Sequence, residues 1–264
     1  MAVLNKETPF QLEISDLSMS FGGIKAVQGV SFSVRPEEIY SIIGPNGAGK
    51  TTIFNCVSGI YQAQAGSIVF AGKEVLGQKP HEIAHLGIAR AFQNIELFKG
   101  MTVLDNLMSA QGYRIKYGLL RAALYLGRCL REEVESRDKV EEIIEFLDLQ
   151  PVRNTPVGGL SYGLQKRVEL GRALAMEPKI VLIDEPVSGM NLEETEDMAR
   201  YIIDINEDMR ITVVLIEHDM GVVMDLSDRV AVLNFGIKIA EGTPREIAEN
   251  PEVISAYLGE EQAR

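Results

Sequence analysis

Residues 44 to 52 read Gly44-Pro45-Asn46-Gly47-Ala48-Gly49-Lys50-Thr51-Thr52, directly after the apolar run Ile39-Tyr40-Ser41-Ile42-Ile43. The pattern Gly-x4-Gly-Lys-Thr is met by Gly44, Gly49, Lys50 and Thr51. Glycines let successive backbone N–H groups turn inward on an anion without a Cβ clash. The apolar run predicts a buried strand, and Thr51 to Ile60 predicts a helix whose positive end lies behind the loop. Lys50 offers a point charge for the outer phosphates, and the Thr51 hydroxyl offers a ligand to Mg2+. Strand, glycine loop and helix in that order indicate an α/β fold that holds a nucleoside triphosphate. The loop by itself does not say which triphosphate, or for what work.

A second apolar run, Ile180-Val181-Leu182-Ile183, ends in Asp184-Glu185. Adjacent carboxylates at the end of a buried strand are not explained by packing. At the C-terminal edge of a parallel sheet such a pair faces the ligand crevice. Asp184 there can hold Mg2+ through water, and Glu185 can polarise an attacking water. A helix-capping turn around Pro186 is the plainer alternative. Between the two sites lies Leu160-Ser161-Tyr162-Gly163-Leu164-Gln165. It reads as a Ser-capped helix start containing a glycine, and so as a second possible anion site.

The rest of the chain bounds the answer. At 264 residues and 46 % hydrophobic it can bury a sizeable core. A net charge of −12 argues against broad binding to nucleic acid or anionic lipid. Cys56 and Cys129 have no metal-ligand spacing, which suggests idle thiols in a reducing compartment. The first ten residues show no secretory signal, and no window is apolar enough for a membrane span. The expected location is cytoplasmic, unless a partner holds the chain at a membrane.

Short strand-like runs dominate the first third. They include Leu12, Ile14 and Leu17, then Val30, Phe32 and Val34, then Ser67 to Phe70. From about residue 95 to 149 the character changes to charged, leucine-rich segments with helical spacing, as in Val134, Val140, Ile143, Ile144 and Leu147. Residues 151–159 read as a loop, followed by a helix from about 161 to 175. Strands are expected at 180–184, 212–217 and 229–233, with a helix over about 193–209 between the first two. Such alternation implies a parallel α/β sheet.

Taken together, these motifs resemble the ATP-binding subunits of ABC transporters. The resemblance extends over about residues 12 to 259. LSYGLQ stands where that family carries an LSGGQ-like signature, with Tyr162 in place of the first glycine. Ser161 and Gly163 are the firm matches there, and Gln165 is the weaker one. Phe21 stands where an aromatic would stack on adenine, although a core phenylalanine is the plain alternative. Gln93, in Ala91-Phe92-Gln93-Asn94, matches the glutamine that links Mg2+ to the helical region. His218, in Ile216-Glu217-His218-Asp219, matches the histidine that contacts the γ-phosphate. In Ser188-Gly189-Met190-Asn191, Asn191 replaces an Asp common in the family.

The resemblance implies a P-loop NTPase: a parallel sheet core, an antiparallel β subdomain and a helical subdomain at about 95–175, all within one cassette over 10–260. It implies ATP and Mg2+ as ligands. Glu185, His218 and Gln93 become the catalytic candidates, and Thr51, Gln93 and Asp184 the metal candidates. Gly44 to Thr52, with Phe21, Ser161, Gly163 and Gln165, become the nucleotide contacts. In this family two subunits sandwich two ATP molecules, so Ser161 and Gly163 are expected to act on a partner's nucleotide. The second subunit can be a paralogue or an identical chain.

The finer match is to importers of branched-chain amino acids, with urea and amide importers as alternatives. It rests on residues 92–98 and 101–107, on Ile216 to Met220, and on the tail from Ile239 to Pro244 and Ala256 to Gly259. Permease subunits, and indirectly a substrate-binding protein, are then the implied partners at the inner face of the plasma membrane. A basic stretch including Arg114, Lys116, Arg121, Arg128 and Arg131 is either a solvated helix face or a contact with the membrane subunits. Two other classes are weaker. An ABC-type ATPase acting on DNA or ribosomes usually has fused cassettes or long arms, and this chain has neither. A module that has lost catalysis does not fit intact Lys50, Asp184, Glu185 and His218.

Overall fold

The computed structural model describes residues 10–91, 95–112 and 128–261. Gln93, Arg114, Lys116 and Arg121 therefore lie outside the described residues, as do the side chains of Arg128 and Arg131. The chain divides into two compact units. One comprises residues 1–90, 179–185 and 199–264, the other 91–178 and 186–198.

The first unit holds two sheets. Strands β1 (Leu12–Phe21), β2 (Ile24–Val34), β4 (Ala65–Phe70) and β5 (Lys73–Glu74) form an antiparallel sheet in the order β2-β1-β4-β5. A second sheet is ordered β10-β9-β3-β8-β7-β6, from β3 (Ile39–Ile43), β6 (Ile88–Ala91), β7 (Ile180–Asp184), β8 (Thr212–Ile216), β9 (Arg229–Asn234) and β10 (Ile237–Gly242). In it β3 pairs in parallel with both β8 and β9, and β7 with β8. Every residue of β3, β7 and β8 is buried, which is why each reads as a mostly apolar run rather than an alternating one.

In β1 the inward parity changes along the strand. Leu12 and Ile14 are buried, and then Leu17 and Met19. The register shifts between Ile14 and Leu17, where Asp16 takes φ 49°. A bulge adds one residue and flips the alternation, so the even-numbered apolar set hands over to an odd-numbered one. These side chains join Val30, Phe32 and Val34 of β2, and Ile53, Phe54 and Val57 of helix α1 (Lys50–Val57), in one core.

Several boundaries differ from the sequence expectation. The helix after the glycine loop stops at Val57, and Gly59 takes φ 73° beyond it. The strand expected over 212–217 ends at Ile216. Helix α2 (Pro80–Leu86) and strands β5, β6 and β10 were not anticipated from the pattern. These are short or half-exposed elements whose periodicity is too brief to read. Cys56 is buried on α1, and burial pushes its thiol up to about 11, in keeping with an unreactive group.

The second unit is helical, with α3 (Val103–Gln111), α4 (Arg128–Phe146) and α5 (Tyr162–Leu174). Val140, Ile143, Ile144 and Leu147 of α4 are buried, as are Val103 and Leu107 of α3 and Val168 and Leu174 of α5. Helix α3 starts at a capping box between Thr102 and Asp105. Buried Asn106 accepts from the amide of Phe98 and donates to the carbonyls of Phe98, Met101 and Thr102, which fixes the approach to that helix. The expected loop at 151–159 contains two short 3-10 turns. Helix α6 (Leu192–Glu207) begins in this unit, whereas α7 (Met220–Leu226), α8 (Pro244–Ala248) and α9 (Pro251–Glu261) belong to the first. Among the described residues, no helix is long and apolar enough to cross a membrane.

Candidate functional site

The register of the parallel strands assembles the first half of the site. Ile42 of β3 and Asp184 of β7 both pair with Ile216 of β8. The chain leaving these strands at Gly44, Glu185 and Glu217 therefore emerges level along one sheet edge. The turn after β9 reaches the same edge, where the Gly236 amide donates to the Ala48 carbonyl at 3.1 Å.

The glycine loop is held by its backbone. Gly44, Gly47 and Gly49 have φ of 144°, 79° and 102°. At Gly49 a Cβ would lie 2.3 Å from the Ala26 carbonyl oxygen, so no other residue fits without moving β2. Gly49 is also the N-cap of α1 and brings no side chain to the first-turn amides. These amides, with the helix dipole behind them, are the donors that suit phosphate oxygens. Lys50 is 7 % exposed, and its Nζ donates to the carbonyls of Gly44 at 2.5 Å and Pro45 at 3.0 Å. The ammonium is thereby kept over the loop.

The two acids at the end of β7 differ in burial and in backbone conformation. Asp184 is 1 % exposed, whereas Glu185 is half-buried and takes φ 50°. A non-glycine residue in the left-handed region is strained, and such strain collects at functional turns. The Glu185 amide donates to the Ile216 carbonyl at 2.9 Å, which anchors this turn to β8.

His218 lies two residues past the end of β8 rather than at the strand's last position. The fully buried Glu217 carboxylate accepts from the amides of His218 at 2.9 Å and Asp219 at 3.3 Å. Asp219 in turn caps α7, accepting from Gly221 and Val222. The backbone under His218 is thus pinned while its imidazole, 56 % exposed, faces outward. Phe21 closes β1, partly exposed and edge-on to Tyr61 with centroids 5.2 Å apart.

Sequence reasoning missed Arg90. It sits on β6, and its guanidinium donates to Asp184 Oδ2 at 2.8 Å and to Asn55 Oδ1 at 2.6 Å. It also lies over the Phe54 ring at 5.5 Å. Burial pulls the guanidinium pKa down and Asp184 pulls it up. An arginine inside the short apolar strand Ile88-Ala89-Arg90-Ala91 is the signal that could have found it, because a buried charge requires a buried partner.

The second unit holds the remaining candidates. Ser161 is the N-cap of α5, its Oγ accepting from the Leu164 amide at 3.4 Å, as the sequence suggested. Gln165 turns back and donates to the Leu160 carbonyl at 2.8 Å, which ties down the chain entering the helix. The Glu194 carboxylate lies against Gly163, where a Cβ would come within 2.3 Å of its Oε1. Glu194 also forms a reciprocal cap with Asn191 at the start of α6, accepting from the Asn191 amide at 3.2 Å and donating its own amide to Asn191 Oδ1 at 3.0 Å. Tyr162 packs its ring on the Gly189 backbone, and Arg167 pairs with Asp197 at 2.5 Å. The unusual tyrosine, the segment 188–197 and the start of α5 therefore form one packed group.

Comparison with known proteins agrees with this geometry. A family model described as "ABC transporter" matches residues 27–188, and one described as "Branched-chain amino acid ATP-binding cassette transporter" matches residues 238–263. The chain is 43 % identical to the high-affinity branched-chain amino acid transport ATP-binding protein BraF of Pseudomonas aeruginosa, over 94 % of this chain and 98 % of that protein. It is 41 % identical to the corresponding protein LivG of Escherichia coli, with the same coverage. Among solved structures, a nucleotide-free ATP-binding cassette of an ABC transporter superposes with a TM-score of 0.82 at 33 % identity, covering 94 % of this chain and 98 % of that one. A cassette in its ADP conformation gives a TM-score of 0.82 at 32 % identity, covering 96 % and 100 %.

Proposed function

The chain belongs to the ABC transporter family as a nucleotide-binding, ATP-hydrolysing subunit, and from that premise we propose that it powers an importer of branched-chain amino acids. The observation that carries the catalytic reading is the level emergence of Gly44, Glu185 and Glu217 from three neighbouring parallel strands. That arrangement sets a phosphate cradle, two carboxylates and a histidine along one edge. The cargo class is supported by the relatives' names and by the match of residues 238–263 to a branched-chain amino acid cassette family.

In this reading the amides of Gly47 to Thr52 and the Lys50 ammonium hold the β- and γ-phosphates, and Phe21 stacks on adenine. The oxygen donors Thr51 and Asp184 suit Mg2+, which binds through a few protein oxygens plus phosphates rather than a dedicated cage. Among the described residues no cluster of three or more His, Cys, Asp or Glu is available for such a cage. Gln93 is assigned to the metal by resemblance. When bound, Mg2+ neutralises charge on the phosphate oxygens. Glu185 orients the attacking water and takes its proton, and His218 donates to the γ-phosphate. Asp184 closes β7 and Glu185 opens the strained turn after it, and the two acids are assigned to different atoms, the metal and the attacking water.

Ser161, Gly163 and Gln165 are assigned to the nucleotide of a second ATP-binding subunit, a paralogue or an identical chain. Closure of two such chains on ATP, and their reopening after hydrolysis, would drive the permease subunits. That work places this chain at the inner face of the membrane through its permease, with a substrate-binding protein as the indirect partner.

The test is uptake of radiolabelled leucine, isoleucine and valine by cells lacking this chain. The expected result is loss of high-affinity uptake, restored by the wild-type chain and not by Glu185→Gln. Uptake that is unchanged by the deletion would refute the cargo assignment.

A further inference from the structure

The Arg90–Asp184 pair is buried on both sides, with side-chain exposures of 7 % and 1 %. Buried ion pairs are poor stabilisers, because desolvation offsets most of their attraction. A pair retained at this position therefore calls for a reason other than stability. Arg90 has one in its geometry. Its planar fork spans two acceptors on two other elements: Asp184, the last residue of β7, and Asn55, one helical turn after Thr51 on α1. The Phe54 ring covers the guanidinium and limits its swing. The Asn55 carbonyl also receives the amides of Ile60 and Tyr61, so this part of α1 is itself well anchored.

We propose that Arg90 is a positioning residue, which fixes the Asp184 carboxylate for Mg2+ and locks it to the helix that carries Thr51. The proposal rests on the reading of Asp184 and Thr51 as the metal-side donors. With one carboxylate oxygen held by Arg90, the direction of the other is set. With Asn55 held by the same guanidinium, the spacing between the Asp184 carboxylate and the Thr51 hydroxyl is set too. A lysine would keep the charge but cannot serve two acceptors in a planar fork.

The test is equilibrium ATP binding by the full chain, titrated with Mg2+ and compared with binding in EDTA. In Arg90→Met, the Mg2+ concentration that gives half of the Mg2+-dependent gain in ATP binding should rise about tenfold or more, the usual effect of removing a group that orients a metal ligand. ATP binding in EDTA should remain that of the wild type. Arg90→Lys, which keeps the buried charge, should shift the same midpoint in the same direction, and it decides the matter if Arg90→Met does not fold. An unchanged midpoint in a folded variant overturns the proposal. So does an equal loss with and without Mg2+, which is the mark of a merely structural role. Asp184→Asn is the control. If it leaves the Mg2+ midpoint unchanged, the metal assignment itself fails and the proposal falls with it. If it shifts the midpoint and the Arg90 variants do not, only the role of Arg90 fails.

Discussion

The glycine loop ahead of α1 and the Ser161 turn ahead of α5 both open a helix, yet they fill the helix start differently. Ahead of α1 the cap is Gly49, which brings no side chain, and the backbone is pressed against Ala26 and Gly236. Ahead of α5 the cap is Ser161, whose hydroxyl already serves the Leu164 amide, and the Glu194 carboxylate lies beside Gly163. The first turn has no side chain capping its amides, which in the proposed reading serve an external anion. The second satisfies part of its own needs and presents a surface, with Tyr162 exposed on it. ATP affinity of the isolated chain should therefore reside in the first turn, while the second should matter only when another chain meets it.

The sharpest way to break this contrast is Lys50→Ala. Hydrogen bonds to charged groups contribute about 1.5–3 kcal/mol, so ATP affinity should fall about 10- to 100-fold. Isothermal titration of the monomer reads this directly, and an affinity near wild type would place the binding energy elsewhere.

A matched pair of glycine substitutions sharpens it further. Gly49→Ala meets a backbone carbonyl and an unfavourable φ, which costs about 1–3 kcal/mol of strain before any ligand binds. ATP binding should weaken accordingly. Gly163→Ala meets only the end of the Glu194 side chain, which can swing away. That variant should bind ATP as the wild type does, and equal losses from the two substitutions would erase the distinction.

The smallest expected effect is that of Ser161→Ala. Losing a serine cap costs about 1 kcal/mol. For a chain of this size that corresponds to roughly 2–4 °C in Tm. Calorimetry should show this drop with ATP affinity unchanged. A larger ATP effect in the isolated chain would mean that Ser161 touches the nucleotide of its own chain.

How much of this could be read from the sequence follows the same division. The runs at 39–43, 180–184 and 212–216 were plain because strands buried on both faces favour apolar residues, and each runs into a proposed site segment. The glycine loop was plain because its backbone, with positive φ at Gly44, Gly47 and Gly49, requires glycine at fixed positions. Ser161 was legible as a cap because capping is local. Arg90 was not legible. Its partner Asp184 is 94 residues away, and β6 is four residues long. Glu194 was missed as well. It reads as one acid among many at the start of a charged helix, and only the fold brings it against Gly163. The role of Glu217 in steadying His218 was hidden by taking the strand one residue too far.

The central claim is that this chain binds ATP through the loop at Gly44 to Thr52 and hydrolyses it with Glu185. Parallel assays of ATP binding and steady-state hydrolysis on Glu185→Gln test it most directly. General-base catalysis contributes about 100- to 10,000-fold, so hydrolysis should fall by that order while ATP affinity stays at the wild-type level. Normal turnover in this variant, or loss of hydrolysis only in step with loss of binding, would contradict the account.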